Sequence, residues 1–228
     1  MGGVLAAYEK RVASGALTAD PAQEECAIRL DRLAGSLADR ERRRKSLFGR
    51  LSGAGEVPRG LYIHGGVGRG KTMLMDLFYD ATPVARKRRV HFHAFMADVH
   101  DRIGAARKTT DGDPIPVVGA SLARETQLLC FDELFVRDIA DAMVLGRLFR
   151  ELFEAGTIVV ATSNARPDDL YKNGLNRQLF LPFIDEIEDR LDVVELVSAR
   201  DFRLAKLSGQ QLYFTPAGPA ATAALDAH

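Results

Sequence analysis

At the usual scale of about 150 residues per domain, a chain of 228 residues holds one sizeable domain and an appendage. Hydrophobic residues at 46% and charged residues at 27% are ordinary globular values, which exclude wholesale disorder, a collagen repeat or a coiled coil. Lys plus Arg total 31 and Asp plus Glu 31, so no global field draws nucleic acid or an acidic membrane, and such a partner would need a local patch.

The opening segment, Met1 to Glu9, lacks a basic stretch followed by an apolar one. The longest apolar runs, Leu128 to Phe131 and Thr157 to Thr162, are far shorter than the ~18 residues that cross a bilayer. These features predict a cytoplasmic, unprocessed chain that is not membrane-spanning and carries no direct nucleic-acid signal. The two cysteines, Cys26 and Cys130, can build neither a disulfide scaffold nor a four-cysteine zinc site and are expected to be buried thiols.

In chain order, Leu5, Tyr8 and Val12, then Ile28, Leu30, Leu33 and Leu37, keep helical spacing and predict two short amphipathic helices separated by Ser14 to Pro21. A basic run, Arg40 to Lys45, reads as a solvated helix end or as a contact surface for a partner or phosphate. Gly49 to Pro58 reads as a linker, so residues 1–55 form an N-terminal unit.

From Arg59 onward short apolar runs alternate with amphipathic stretches, the pattern of a parallel sheet covered by helices. The candidate strands are Leu61 to His64, Val90 to His93, Leu128 to Phe131, Thr157 to Thr162 and Val193 to Leu196. The candidate helices are Thr72 to Tyr79, Phe95 to Ile103, Ile139 to Phe153 and Leu179 to Arg190, with a loop over Asp111 to Pro116. The core spans 56–200, and 201–228 is the start of an incomplete lid or a tail. The fold class predicted is an α/β P-loop sandwich of three layers on a parallel five-stranded sheet.

Gly65-Gly66-Val67-Gly68-Arg69-Gly70-Lys71-Thr72 fits G-x-x-x-x-G-K-[ST] between a predicted strand and a predicted helix. Small residues let successive backbone N–H groups form an anion nest, and the following helix directs its positive end at phosphates. Lys71 then supplies a point charge to the β and γ phosphates, and the Thr72 hydroxyl a ligand for Mg²⁺.

Leu128 to Glu133 is a buried-strand run ending in two carboxylates. Asp132 is expected to hold Mg²⁺ through water, and Glu133 to act as general base on the attacking water. Asn164, closing the next strand after Thr162 and Ser163, is placed to orient that water. Arg177, in a polar loop, reads either as a surface arginine or as an arginine finger donated to a neighbouring subunit. His91 and His93 alternate on a predicted strand and share a face, but no third ligand at suitable spacing accompanies them, so they read as structural.

Several segments, taken in order, resemble one family closely. They are GGVGRGKT at Gly65 to Thr72, MDLFY at Met75 to Tyr79, HFHAFM at His91 to Met96 and LCFDE at Leu129 to Glu133. DIADAM at Asp138 to Met143, ATSN at Ala161 to Asn164, Leu170-Tyr171, Gly174-Leu175 with Arg177, and Phe180 to Pro182 follow. Over residues 8–216 the chain is similar to the ZapE-type AAA+ ATPases, bacterial cell-division ATPases with mitochondrial relatives.

The resemblance implies an AAA+ module that binds ATP and ADP with Mg²⁺, hydrolyses ATP, and forms nucleotide-dependent homo-oligomers. It implies action on FtsZ or other division-ring proteins near the inner membrane. It also implies an adenine pocket between the N-terminal helices and Pro58 to Leu61. Two departures stand out: Asn176 replaces the family's glutamine, and Leu212 to His228 resembles only the beginning of the lid that supplies the family's sensor-two arginine. Nucleotide binding is expected to survive such a loss better than hydrolysis. Two rival readings stay open, a P-loop small-molecule kinase and a nucleotide-gated adaptor with little turnover.

Overall fold

The computed structural model describes residues 2–45 and 56–197. Two helices come first, α1 (Val4–Ala13) and α2 (Pro21–Lys45). α2 starts where chemistry directs it: the Asp20 carboxylate accepts from the N–H groups of Ala22 (2.9 Å) and Gln23 (3.1 Å), and Pro21 supplies a preset φ at the first helical position. The run Arg40 to Lys45 ends α2, with Arg42 to Lys45 in its last turn, where cations meet the negative end of the helix dipole. That agrees with the helix-end reading of this run. The proposed linker falls largely, and the proposed lid or tail wholly, outside the described residues.

The core alternates strand and helix: β1 (Gly60–His64), α3 (Lys71–Ala81), β2 (Lys87–His91), α4 (Phe92–Ala106), α5 (Ile115–Glu125), β3 (Leu128–Asp132), α6 (Ile139–Glu154), β4 (Ile158–Ser163), α7 (Leu181–Arg190) and β5 (Leu191–Glu195). All strand pairs are parallel, in the order β2-β3-β4-β1-β5. Alternate strand residues serve opposite faces. Leu61, Ile63, Cys130, Ile158 and Val160 pack with α1, α2 and α3, whereas Tyr62, Leu129, Phe131, Val159 and Ala161 pack with α4 to α7. The expected three-layer sandwich is therefore present, with the N-terminal helices forming part of one outer layer.

Phe149 of α6 anchors the second layer. It is buried, and its ring meets those of Phe95, Phe131, Phe153 and Phe183 at centroid distances from 4.9 to 6.5 Å. Phe149→Ala is expected to cost ~3–5 kcal/mol of stability, measured by chemical denaturation. A loss below ~1 kcal/mol would show that this cluster collapses around the cavity.

α2 runs for 25 residues and is not short, β5 spans Leu191–Glu195 and not Val193 to Leu196, and three further elements depart from expectation. Strand β2 is Lys87–His91, not Val90 to His93, and carries three basic residues on a sheet edge. Each is compensated: Lys87 donates to the carbonyl oxygens of Tyr79 and Thr82, Arg88 pairs with Asp98 at 2.7 Å, and Arg89 pairs with Asp132. Charges suit an edge strand, where they discourage pairing with another chain. His91 thus ends the strand and His93 lies in α4, so they do not alternate on one strand; their rings stack at 6.1 Å.

The second departure is α5, whose start at Ile115 overlaps the expected loop. Pro116 sits in its first turn, a position where proline starts helices. Third, α7 begins at Leu181, after a short 3₁₀ turn over Arg177–Leu179. Cys26 and Cys130 are both buried, and burial pushes the Cys26 thiol up to about 12 and raises that of Cys130. Among the described residues no helix is long and apolar enough to cross a membrane.

Candidate active site

The carboxyl ends of the parallel strands gather the residues singled out from the sequence, as expected for an open α/β sheet. β1 runs into the glycine-rich loop and the loop into α3. Gly65 has φ +151°, and a Cβ there would stand 2.6 Å from the Leu196 carbonyl oxygen, so glycine is required. Gly70, with φ +87°, gives up its Cβ to Gln23, whose Nε2 would lie 2.8 Å away. Lys71 and Thr72 open α3.

Lys71 Nζ donates to the carbonyl oxygens of Gly65 (2.6 Å) and Gly66 (2.8 Å) and to Asn164 Oδ1 (2.9 Å). One ammonium thereby ties the loop after β1 to the end of β4. Burial lowers the Lys71 pKa, the negative charge of Glu133 opposes that shift, and Arg69 adds to it. The loop, Lys71, Asn164 and Glu133 therefore share one electrostatic neighbourhood.

Glu133 follows β3 with φ +56°, the left-handed region that costs a non-glycine residue about 1–3 kcal/mol. Its N–H donates to Thr162 Oγ1 at 3.1 Å, that hydroxyl donates to the Phe131 carbonyl at 3.3 Å, and the Leu134 N–H donates to the Thr162 carbonyl at 2.7 Å. The conformation is thus held from β4, and it leaves the carboxylate exposed. Glu133 and Asn164 border a cavity of about 650 Å³, also lined by His93, Phe135 and Asp141.

Asp132 is 9% exposed and takes a forked pair from Arg89, Nε to Oδ2 at 2.7 Å and Nη2 to Oδ1 at 3.2 Å. Arg89 also pairs with Asp76, one helical turn beyond Thr72. Burial disfavours the Arg89 charge, but the bonds to Asp132 and Asp76 outweigh it and raise its pKa. Arg89 was not singled out from the sequence, and no local signal marks it: its partners are 13 and 43 residues away.

Thr72 and Asp132 offer hard oxygen donors. Arg89 occupies two of the roughly four acceptor positions of the Asp132 carboxylate, which leaves room for a metal-bound water. Among the described residues no cluster of three His, Cys, Asp or Glu could hold a metal. Mg²⁺ needs none, since one or two protein ligands with waters and substrate phosphates satisfy it. The residues present fit such an ion.

Arg177 stands apart from this set. Its guanidinium donates to the carbonyl oxygens of Leu170 (2.8 Å) and Asp168 (2.5 Å). Around it Leu175, Leu179 and Leu181 are 70%, 51% and 44% exposed. Pro58 and Gly60 line a cavity of only about 50 Å³ with Phe153, Ile158 and Arg190, at the amino ends of β1 and β4. That cavity is too small for a purine and lies at the opposite strand ends from the loop.

The second residue missed from the sequence is Gln23 of α2. It is 1% exposed, and its Nε2 donates to the Arg69 carbonyl at 3.1 Å, 46 residues away. An Asp-x-x-Gln helix start resembles a capping box, and that local reading conceals the long-range contact.

Comparison with known proteins agrees with the fold. The chain is 48% identical to the cell division protein ZapE of Escherichia coli over 171 residues, 75% of this chain and 45% of that one. It is 48% identical to lactation elevated protein 1 homolog B of Danio rerio over 180 residues, 75% of this chain and 36% of that one. The chain therefore spans less than half the length of these relatives. The crystal structure of DnaI matches with a TM-score of 0.50 at 15% identity, over 77% of this chain and 84% of that one, a likeness of fold. The AFG1-like ATPase family matches residues 3–228, and the chain belongs to that family.

Proposed function

We propose that this chain binds ATP and hydrolyses it with Mg²⁺. The observation that carries the reading is the Lys71 ammonium, held between two loop carbonyls and Asn164 with Glu133 charged nearby. A cation on a glycine loop at a helix start binds the β and γ phosphates. An exposed carboxylate after β3, beside an amide at the end of the intervening β4 that can orient water, serves hydrolysis better than transfer to a second substrate. This disfavours the kinase reading. Thr72 and Asp132 would hold the metal, which supplies charge neutralisation on the phosphates.

The exposed leucines beside Arg177 support self-association, because contiguous exposed apolar surface marks interaction sites. We place Arg177 in that interface as a finger for the adjacent subunit's nucleotide. The kinship with ZapE supports action in cell division on FtsZ or another division-ring protein. A nucleotide-gated adaptor that binds ATP without turnover is the rival that hydrolysis measurements decide.

Lys71→Ala tests the site. Loss of a charge-assisted bond of ~1.5–3 kcal/mol predicts an ATP affinity about 10 to 150 times weaker, measured by calorimetry. Unchanged affinity in a folded variant would refute the assignment.

A further inference from the structure

Gln23 has one end committed and the other not. Its Nε2 donates to the Arg69 carbonyl, whereas Oε1 is enclosed without a hydrogen-bond donor. In a capping box that oxygen would accept from the N–H of the N-cap residue. Here the Asp20 N–H goes to the Tyr8 hydroxyl at 3.1 Å, and that hydroxyl donates back to the Asp20 carbonyl. α1 has thus taken over the capping partner and released Gln23 to the loop. A buried acceptor without a donor costs about 1–3 kcal/mol, so its presence calls for a reason.

Its position supplies one. Lys71, which serves the β and γ phosphates, is directed to Asn164 at the end of β4, on the side of Glu133. The γ end of a nucleotide therefore lies on that flank. A nucleotide running away from that flank would carry its α phosphate and base past the start of α3. Gln23 lies there: a Cβ on Gly70 would stand 2.8 Å from its Nε2 and 3.5 Å from its Oε1. It approaches from the layer formed by α1, α2 and α3, opposite the layer that contributes α4 to α7.

We propose that Gln23 reads the base of the bound nucleotide, with Oε1 accepting from the exocyclic amine of adenine. The inference rests on the nucleotide-binding reading above. One Nε2 hydrogen is tied to the Arg69 carbonyl and Oε1 is the atom without a partner, so a base that meets Oε1 must bring a donor, and the carbonyl of guanine would set acceptor against acceptor there. A site built this way rejects the wrong partner more strongly than shape alone. Since Oε1 is enclosed, the base reaches it with a shift of the Arg69 and Gly70 shoulder, so adenine nucleotides should order this segment more than a bare polyphosphate does.

The test compares ATP, GTP and inorganic tripolyphosphate by calorimetry on the parent chain, Gln23→Ala and the volume-matched Gln23→Met. The parent is expected to prefer ATP over GTP by about tenfold or more, one good hydrogen bond against an opposed pair. Both variants should lose most of that preference while keeping tripolyphosphate affinity within about threefold. A parent that binds tripolyphosphate without preferring ATP, or an undiminished preference in either variant, would overturn the inference. So would an equal loss of ATP and tripolyphosphate affinity, which would mean that Gln23 only supports the loop. Failure of the parent to bind any of the three would instead remove the nucleotide reading itself.

Discussion

Arg177→Ala is expected to bind ATP as the parent does and to hydrolyse it ~10³–10⁵ times more slowly, the cost of removing an arginine finger. The structure gives two reasons to look for it across a subunit boundary. Its bonds to the Leu170 and Asp168 carbonyls hold it on the turn before α7, and among the described residues no hydrogen bond joins it to Lys71, Asn164 or Glu133. The same turn exposes Leu175 and Leu179, the surface an assembling partner would cover. Only two of the five guanidinium donors face those carbonyls, so others can reach a neighbour's phosphate.

The decisive measurement mixes Arg177→Ala with Glu133→Gln protein. Some interfaces then pair an intact base with an intact arginine, and activity should partly return. Absence of rescue at every ratio, in samples shown by light scattering to assemble with ATP, would make Arg177 a tie within its own turn.

Glu133→Gln should slow hydrolysis by ~10²–10⁴-fold, the usual contribution of a general base, while ATP and Mg²⁺ still bind. Glutamine keeps the length of the side chain, and the bonds from Thr162 to the backbone of residues 131, 133 and 134 do not involve the carboxylate. The substitution therefore isolates the charge. Normal turnover with collapsed metal affinity would exchange the roles of Asp132 and Glu133. That exchange would be surprising, because Arg89 already engages both oxygens of Asp132, whereas Glu133 is exposed.

The phosphate loop could be read from the sequence because its chemistry is local: glycine spacing, a lysine and a threonine are all consecutive. The three buried strands β1, β3 and β4 could be read because their runs are almost wholly apolar. β2 could not be located as well, since Lys87, Arg88 and Arg89 look polar until Asp98, Asp132 and the α3 carbonyls are seen beside them. α5 was hidden by prolines that mark a helix start as readily as a loop. The roles of Arg89 and Gln23 depend on partners tens of residues distant, which no spacing rule reports. Resemblance implied an adenine pocket between the N-terminal helices and Pro58 to Leu61, and Gln23 belongs to one of those helices.

The left-handed backbone at Glu133 has a bearing on how such chains change over time. Glycine is the residue that conformation favours, so the carboxylate is kept at the expense of folding free energy. Selection for turnover and selection for robustness pull on this position in opposite directions. A descendant that kept the Lys71 loop as a ligand-responsive scaffold but gave up turnover would gain stability from the first drift to glycine, and the loss would be hard to reverse. On the role proposed for Glu133, the residue after Asp132 would record whether a lineage still depends on hydrolysis.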